Sequence, residues 1–98
     1  MALRIDPEQN EIRALKDVAN WRGKDVLEVG CGNGRLTLRL ARLGANIHAI
    51  EPDPKLIREA RKNLPERFAG RVRYEVGNAE QLKSSANIYD LVVFSWVL

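Results

Sequence analysis

Three glycines at alternate positions in Glu28-Val-Gly-Cys-Gly-Asn-Gly34, and a carboxylate at Glu51, are the residues of this 98-residue chain whose types and spacing suit chemistry. Glycine permits positive φ and carries no side chain, so a ligand can lie directly against the backbone at Gly30, Gly32 and Gly34. Glu51 stands 21 positions beyond Gly30. A carboxylate can accept hydrogen bonds from two adjacent ribose hydroxyls, so a nucleoside is the natural occupant of a site built from both parts. The dinucleotide pattern G-x-G-x-x-G is not met, because Arg35 stands where its third glycine belongs. Cys31 has no histidine or other base near it in sequence, which makes it a small loop residue rather than a nucleophile.

The elements that must position these residues alternate between two periods. Asp25–Val29 is a short apolar run that stops at the glycines, as a strand feeding a glycine turn does. Leu36, Leu40 and Leu43 then recur at helical spacing, with Arg35, Arg39 and Arg42 outside and Gly44 as the stop. Asn46–Glu51 reads as a second strand ended by Pro52, and Pro54 opens a helix that buries Ile57, Ala60 and Leu64 before Pro65. Arg71–Val76 alternates polar and apolar residues and predicts a third strand; Ile88–Leu98, almost continuously apolar, predicts a fourth, buried on both faces. An earlier helix is expected from Asp6 and Pro7, with Ile12, Leu15, Val18 and Ala19 on one face. Strands alternating with helices give an α/β fold with a parallel sheet. Right-handed crossovers then order the four strands 3-2-1-4, with the ligand at the switch point between the first and fourth.

The pattern at the loop is E-x-G-x-G-x-G, and an acid at Glu28 beneath it disfavours phosphate and favours a cationic amino group. S-adenosylmethionine, with an amino-acid end, a sulfonium and an adenosine, meets that description. The chain resembles the class I S-adenosylmethionine-dependent methyltransferases with a Rossmann-like fold. Val26–Gly34 is similar to the family's first motif, His48–Asp53 to its second, Val76–Glu80 to its third and Tyr89–Ser95 to its fourth. The resemblance implies that Glu28, Gly30, Cys31, Gly32 and Gly34 surround the methionine moiety and that Glu51 takes the ribose hydroxyls. It further implies that Pro52, Asp53, Asn78 and Ala79 border the adenine, and that the fourth strand's end at Phe94-Ser95-Trp96 lies near the sulfonium methyl. Asn78 stands where the family more often has Asp; its amide oxygen still offers an acceptor.

Family members usually continue past the fourth strand, so the resemblance covers a cofactor-binding half in a single domain over residues 1–98. No catalytic residue is assigned, and activity is expected to need a complementing half or a dimer partner. Such a fold leaves the fourth strand as an exposed apolar edge and one sheet face uncovered. Self-association through residues 88–98 or through that face is therefore expected. The rival reading is a non-catalytic interaction module with a vestigial nucleoside site.

Composition sets further bounds. Lys and Arg number 16 against 13 Asp and Glu, a formal +3. Seven bases and two acids between residues 54 and 73 give a local +5, but Phe68 is the one aromatic residue among them, too few to stack successive bases, so a nucleic-acid partner is disfavoured. One cysteine and no cluster at metal-ligand spacing argue for a reduced, cytoplasmic setting without a metal, and no apolar run of membrane-spanning length occurs.

Overall fold

The computed structural model describes residues 2–4, 20–78, 80 and 88–95. Five strands run through them: β1 (Ala2–Arg4), β2 (Asp25–Val29), β3 (Asn46–Glu51), β4 (Val72–Val76) and β5 (Leu91–Phe94). Two helices, α1 (Arg35–Arg42) and α2 (Pro54–Lys62), follow β2 and β3, and a 3-10 turn at Glu66–Phe68 precedes β4. All pairings are parallel, in the order β1-β5-β2-β3-β4. The four strands expected from the sequence thus keep their 3-2-1-4 order.

Local chemistry explains where each helix starts and stops. α1 begins at Gly34, whose left-handed backbone turns the chain out of the loop. It ends in paired bonds, Gly44 N–H to Ala41 O at 3.0 Å and Ala45 N–H to Leu40 O at 3.2 Å, the closure that a left-handed glycine permits. α2 starts at Asp53, whose side chain accepts from Lys55 N–H at 2.9 Å, with Pro54 in the first turn. Leu36, Leu40 and Ala41 from α1 and Ile57 and Ala60 from α2 join Val26, Ile47, Ala49 and Val72 in one buried cluster. Both helices therefore cover the same face of the sheet, as two successive crossovers of one hand require.

Three expectations are corrected. β5 is not an edge: Ala2–Arg4 lies beside it, with Ala2 opposite Val92 and Arg4 opposite Phe94, so backbone groups expected to recruit a second chain already pair within this one. The second sheet face is not bare, because Leu27 and Ile50, which alternate away from the helices, are only 2% and 1% exposed. The last strand is also shorter than expected. Ile88–Asp90 forms turn and bend, tied to β2 by Asp25 N–H donating to Asp90 Oδ2 at 2.8 Å and Asp90 N–H to Asp25 O at 2.7 Å. Leu91–Phe94 alternates between buried and half-buried rather than being buried on both faces. The helix expected from Asp6, the polar stretch 81–87 and Trp96 lie outside the described residues.

The start of α1 depends on one close approach. Gly34 has φ +91°, and a Cβ built there falls 2.4 Å from the Tyr74 hydroxyl of β4. Gly34→Ala therefore adds about 1–2 kcal/mol of left-handed strain to a steric clash. In urea unfolding, Gly34→Ala should cost more stability with Tyr74 present than in a Tyr74→Phe background, where the hydroxyl is gone. Equal costs in the two backgrounds contradict the contact.

Candidate cofactor site

Parallel strands bring the carboxyl ends of β2, β3 and β4 to one rim, and the glycine loop crosses it. β3 pins the loop: the amides of Gly30 and Cys31 both donate to Ile50 O, at 2.9 and 3.0 Å. One residue further on, Glu51 Oε1 accepts from Gly32 N–H at 3.0 Å while its Oε2 accepts from Asp53 N–H at 3.0 Å. The carboxylate thus bridges the loop to the start of α2. β4 joins the same rim through Gly77 N–H donating to Glu51 O at 3.1 Å. Asn78 follows there, exposed, its Oδ1 accepting from Glu80 N–H at 3.1 Å.

The loop has an open side and a closed side. A Cβ at Gly32 would meet nothing within 4 Å, although φ +58° disfavours any other residue there, so this glycine fronts free space beside Glu51. Gly34 is closed off by Tyr74. The N-terminus of α1 has no side-chain cap and no acid in its first turn, which leaves its positive end available to a ligand carboxylate.

Glu28 sits differently from the expectation. Its side chain is 0% exposed, Thr37 Oγ1 lies 2.5 Å from Oε1, and Ser95 Oγ lies 2.6 Å from Oε2. No surface remains for a ligand to touch, so Glu28 supports the loop from beneath instead of facing an amino group. Burial pushes its carboxyl above the ordinary carboxylate range, with the Ser95 and Thr37 hydroxyls pulling back. Ser95, also buried, lies 3.1 Å from Gly30 O. Its single proton can serve either Glu28 or the loop carbonyl. A protonated Glu28 donating to Ser95 frees that proton for Gly30, which couples the acid to the loop.

Cys31 is buried, and its thiol is pushed well up by burial first and then by the charges of Glu28 and Glu51, which keeps it neutral and unreactive. Pro52 and Asp53 are exposed beside Glu51, and Ala79 lies outside the described residues. The structure therefore brings Gly30, Cys31, Gly32, Gly34, Glu51, Pro52, Asp53 and Asn78 to one rim, with Glu28 and Ser95 under it. The sequence reading missed Thr37 and Tyr74. Thr37 had one available signal, a polar residue one helical step from the apolar stripe of Leu36 and Leu40. Among the described residues no group of three or more His, Cys, Asp or Glu side chains could hold a metal ion, and no helix is long and apolar enough to cross a membrane.

Residues 26–98 match the family described as Methyltransferase domain. The chain is 38% identical over 85 residues to the ubiquinone biosynthesis O-methyltransferase of Azorhizobium caulinodans, covering 86% of this chain and 32% of that protein. It is 41% identical over 56 residues to the magnesium-protoporphyrin O-methyltransferase of Rhodobacter capsulatus, covering 57% of this chain and 25% of that one. The magnesium protoporphyrin IX methyltransferase of Synechocystis, solved with bound S-adenosylmethionine, superposes with a TM-score of 0.71 at 27% identity, over 86% of this chain and 40% of that one. The chain belongs to the methyltransferase domain family, with the Rossmann-like fold of its S-adenosylmethionine-dependent members. It spans about a quarter to a third of the length of these curated relatives.

The buried carboxyl predicts a pH signature. A Glu28 pKa raised above its ordinary 4.5 means that the neutral form is favoured in the fold, so its stabilisation is complete below that value and fades as pH rises through the folded pKa. Glu28→Gln keeps the shape and cannot ionise. The melting temperature of Glu28→Gln minus that of the wild type should grow as pH rises above 4.5. A constant difference contradicts the placement of Glu28.

Proposed function

We propose that this chain is the cofactor-binding part of an S-adenosylmethionine-dependent methyltransferase and supports methyl transfer to an acceptor chosen by the rest of the protein. The observation that carries the reading is the pairing of an open Gly32 with a Glu51 carboxylate already oriented by two backbone amides. A carboxylate has about four acceptor positions. Two are occupied by Gly32 and Asp53 N–H, which leaves acceptor capacity for two ribose hydroxyls. Bound S-adenosylmethionine supplies an electrophilic methyl on a sulfonium. The chain's own contribution is to hold and orient: Gly30 and Gly32 let the methionine part approach the backbone, the uncapped start of α1 favours its carboxylate, and Pro52, Asp53, Asn78 and Ala79 border the base. In-line displacement draws much of its rate from such positioning.

Under this reading residues 1–98 act as one cofactor-binding unit, and the acceptor site lies in the complementing part of a longer protein. A lone, buried, neutral Cys31 is in keeping with a reduced, cytoplasmic setting.

Calorimetric titration with S-adenosylhomocysteine tests the proposal. Micromolar binding is expected, and none of NAD. Glu51→Ala should lose about 1.5–3 kcal/mol of binding, roughly tenfold to 150-fold in affinity, while Glu51→Gln, which keeps one acceptor oxygen, loses less. Binding unaffected by Glu51→Ala, or no binding by the wild type, overturns the assignment.

A further inference from the structure

The end of the sheet opposite the glycine loop carries a different chemistry. Helices that return antiparallel to the strands deliver their carboxyl ends there, and both finish in bases: Arg39 and Arg42 in α1, Arg61 and Lys62 in α2. Arg22, just before β2, and Arg67 and Arg71, just before β4, reach the same end. Four of these arginines, Arg22, Arg42, Arg67 and Arg71, line one groove of about 500 Å³ together with Gly44 and Phe68, and no carboxylate lines it.

Part of this cluster has a structural duty. Arg71 donates from Nη1 to Ala45 O at 2.7 Å and from Nη2 to Ala41 O at 3.0 Å, satisfying carbonyls at the end of α1. Its guanidinium and that of Arg67 both lie on the buried Phe68 ring, at 5.1 and 4.7 Å. A guanidinium has five N–H donors, so these contacts fix Arg71 and still leave donors for an external acceptor. Among the described residues no carboxylate pairs with Arg22, Arg42 or Arg67. Four arginines around one groove that no carboxylate lines make a positive field there, which an anion would meet favourably.

The groove does not end at Arg71. A second groove of about 500 Å³ shares Arg71, adds Gly70 and Arg73, and has one carboxylate, Asp25, in its lining. The basic track therefore extends across the end of the sheet, further than a single ion can use, which favours a chain of phosphates. Phe68 is buried and offers no face for stacking, so recognition rests on charge and not on base identity.

We propose that this arginine groove binds the phosphodiester backbone of a nucleic acid, at the end of the molecule remote from the glycine loop. Residues 54–73 taken alone hold only part of this cluster. The fold joins Arg67 and Arg71 to Arg22 and Arg42, which that window excludes.

The test is fluorescence anisotropy with a labelled oligouridine of about 20 nucleotides, between about 50 and 200 mM KCl. The wild type should bind, with affinity falling steeply in salt. Arg42→Gln with Arg67→Gln should weaken binding about tenfold or more and flatten the log–log salt slope by roughly 1.4, the loss of two phosphate contacts on a single strand. Lys55→Gln with Arg58→Gln, an equal charge change on the exposed face of α2, should weaken it less than twofold. Melting temperatures verify folding, and Arg22→Gln, whose side chain makes no described bond, is the fallback if the double variant unfolds. Equal weakening by the two pairs, no binding at the lowest salt, or displacement by inorganic phosphate beyond that of chloride at matched ionic strength overturns the proposal, the last by marking a small-anion site.

Discussion

A carboxyl group with no contact with water governs the centre of this fold. Glu28 closes β2 from below the glycine loop, and its two oxygens tie α1 through Thr37 and the end of β5 through Ser95. Leaving either oxygen of that buried carboxyl without a partner would cost about 1–3 kcal/mol, so both hydroxyls matter to the site. That requirement fixes how α1 leaves the loop and how close β5 sits to β2. Through Ser95 it also reaches the carbonyl of Gly30, so the shape of the loop follows from a residue that no ligand touches.

The two glutamates of the site divide the work by burial alone. Glu51, half-exposed at the rim, is oriented by backbone amides and retains acceptor capacity toward solvent. Glu28 spends its acceptors inside. In the sequence both stand at the end of an apolar strand, and their spacing cannot tell one from the other, because the difference arises from α1 folding back over β2 and from β5 arriving alongside.

What was legible in the sequence was whatever local chemistry decides. The ends of β2 and β3 follow from Gly30 and Pro52, the closure of α1 from Gly44, and the start of α2 from Pro54. Features that depend on distant partners were not legible. β1 is three residues long, too short for any period to show, and exists by pairing with β5. Tyr74 closes over Gly34, and Thr37 turns under the loop, only once β4 and α1 are packed. The arginine groove likewise gathers residues from four separate places in the chain, so a window of composition sees only half of it. The glycine-loop end of the sheet carries Glu51 and Asp53, and the other end carries the arginine groove.

Under the proposed function Glu51 meets the nucleoside while Glu28 only shapes the loop. Nuclear magnetic resonance of the side-chain carboxyl carbons, followed while S-adenosylhomocysteine is added, reads both residues at once. The account predicts that the Glu51 carboxyl resonance and the Gly32 amide move together to saturation while the Glu28 carboxyl stays close to its starting position. A large shift at Glu28 with Glu51 unmoved would contradict it.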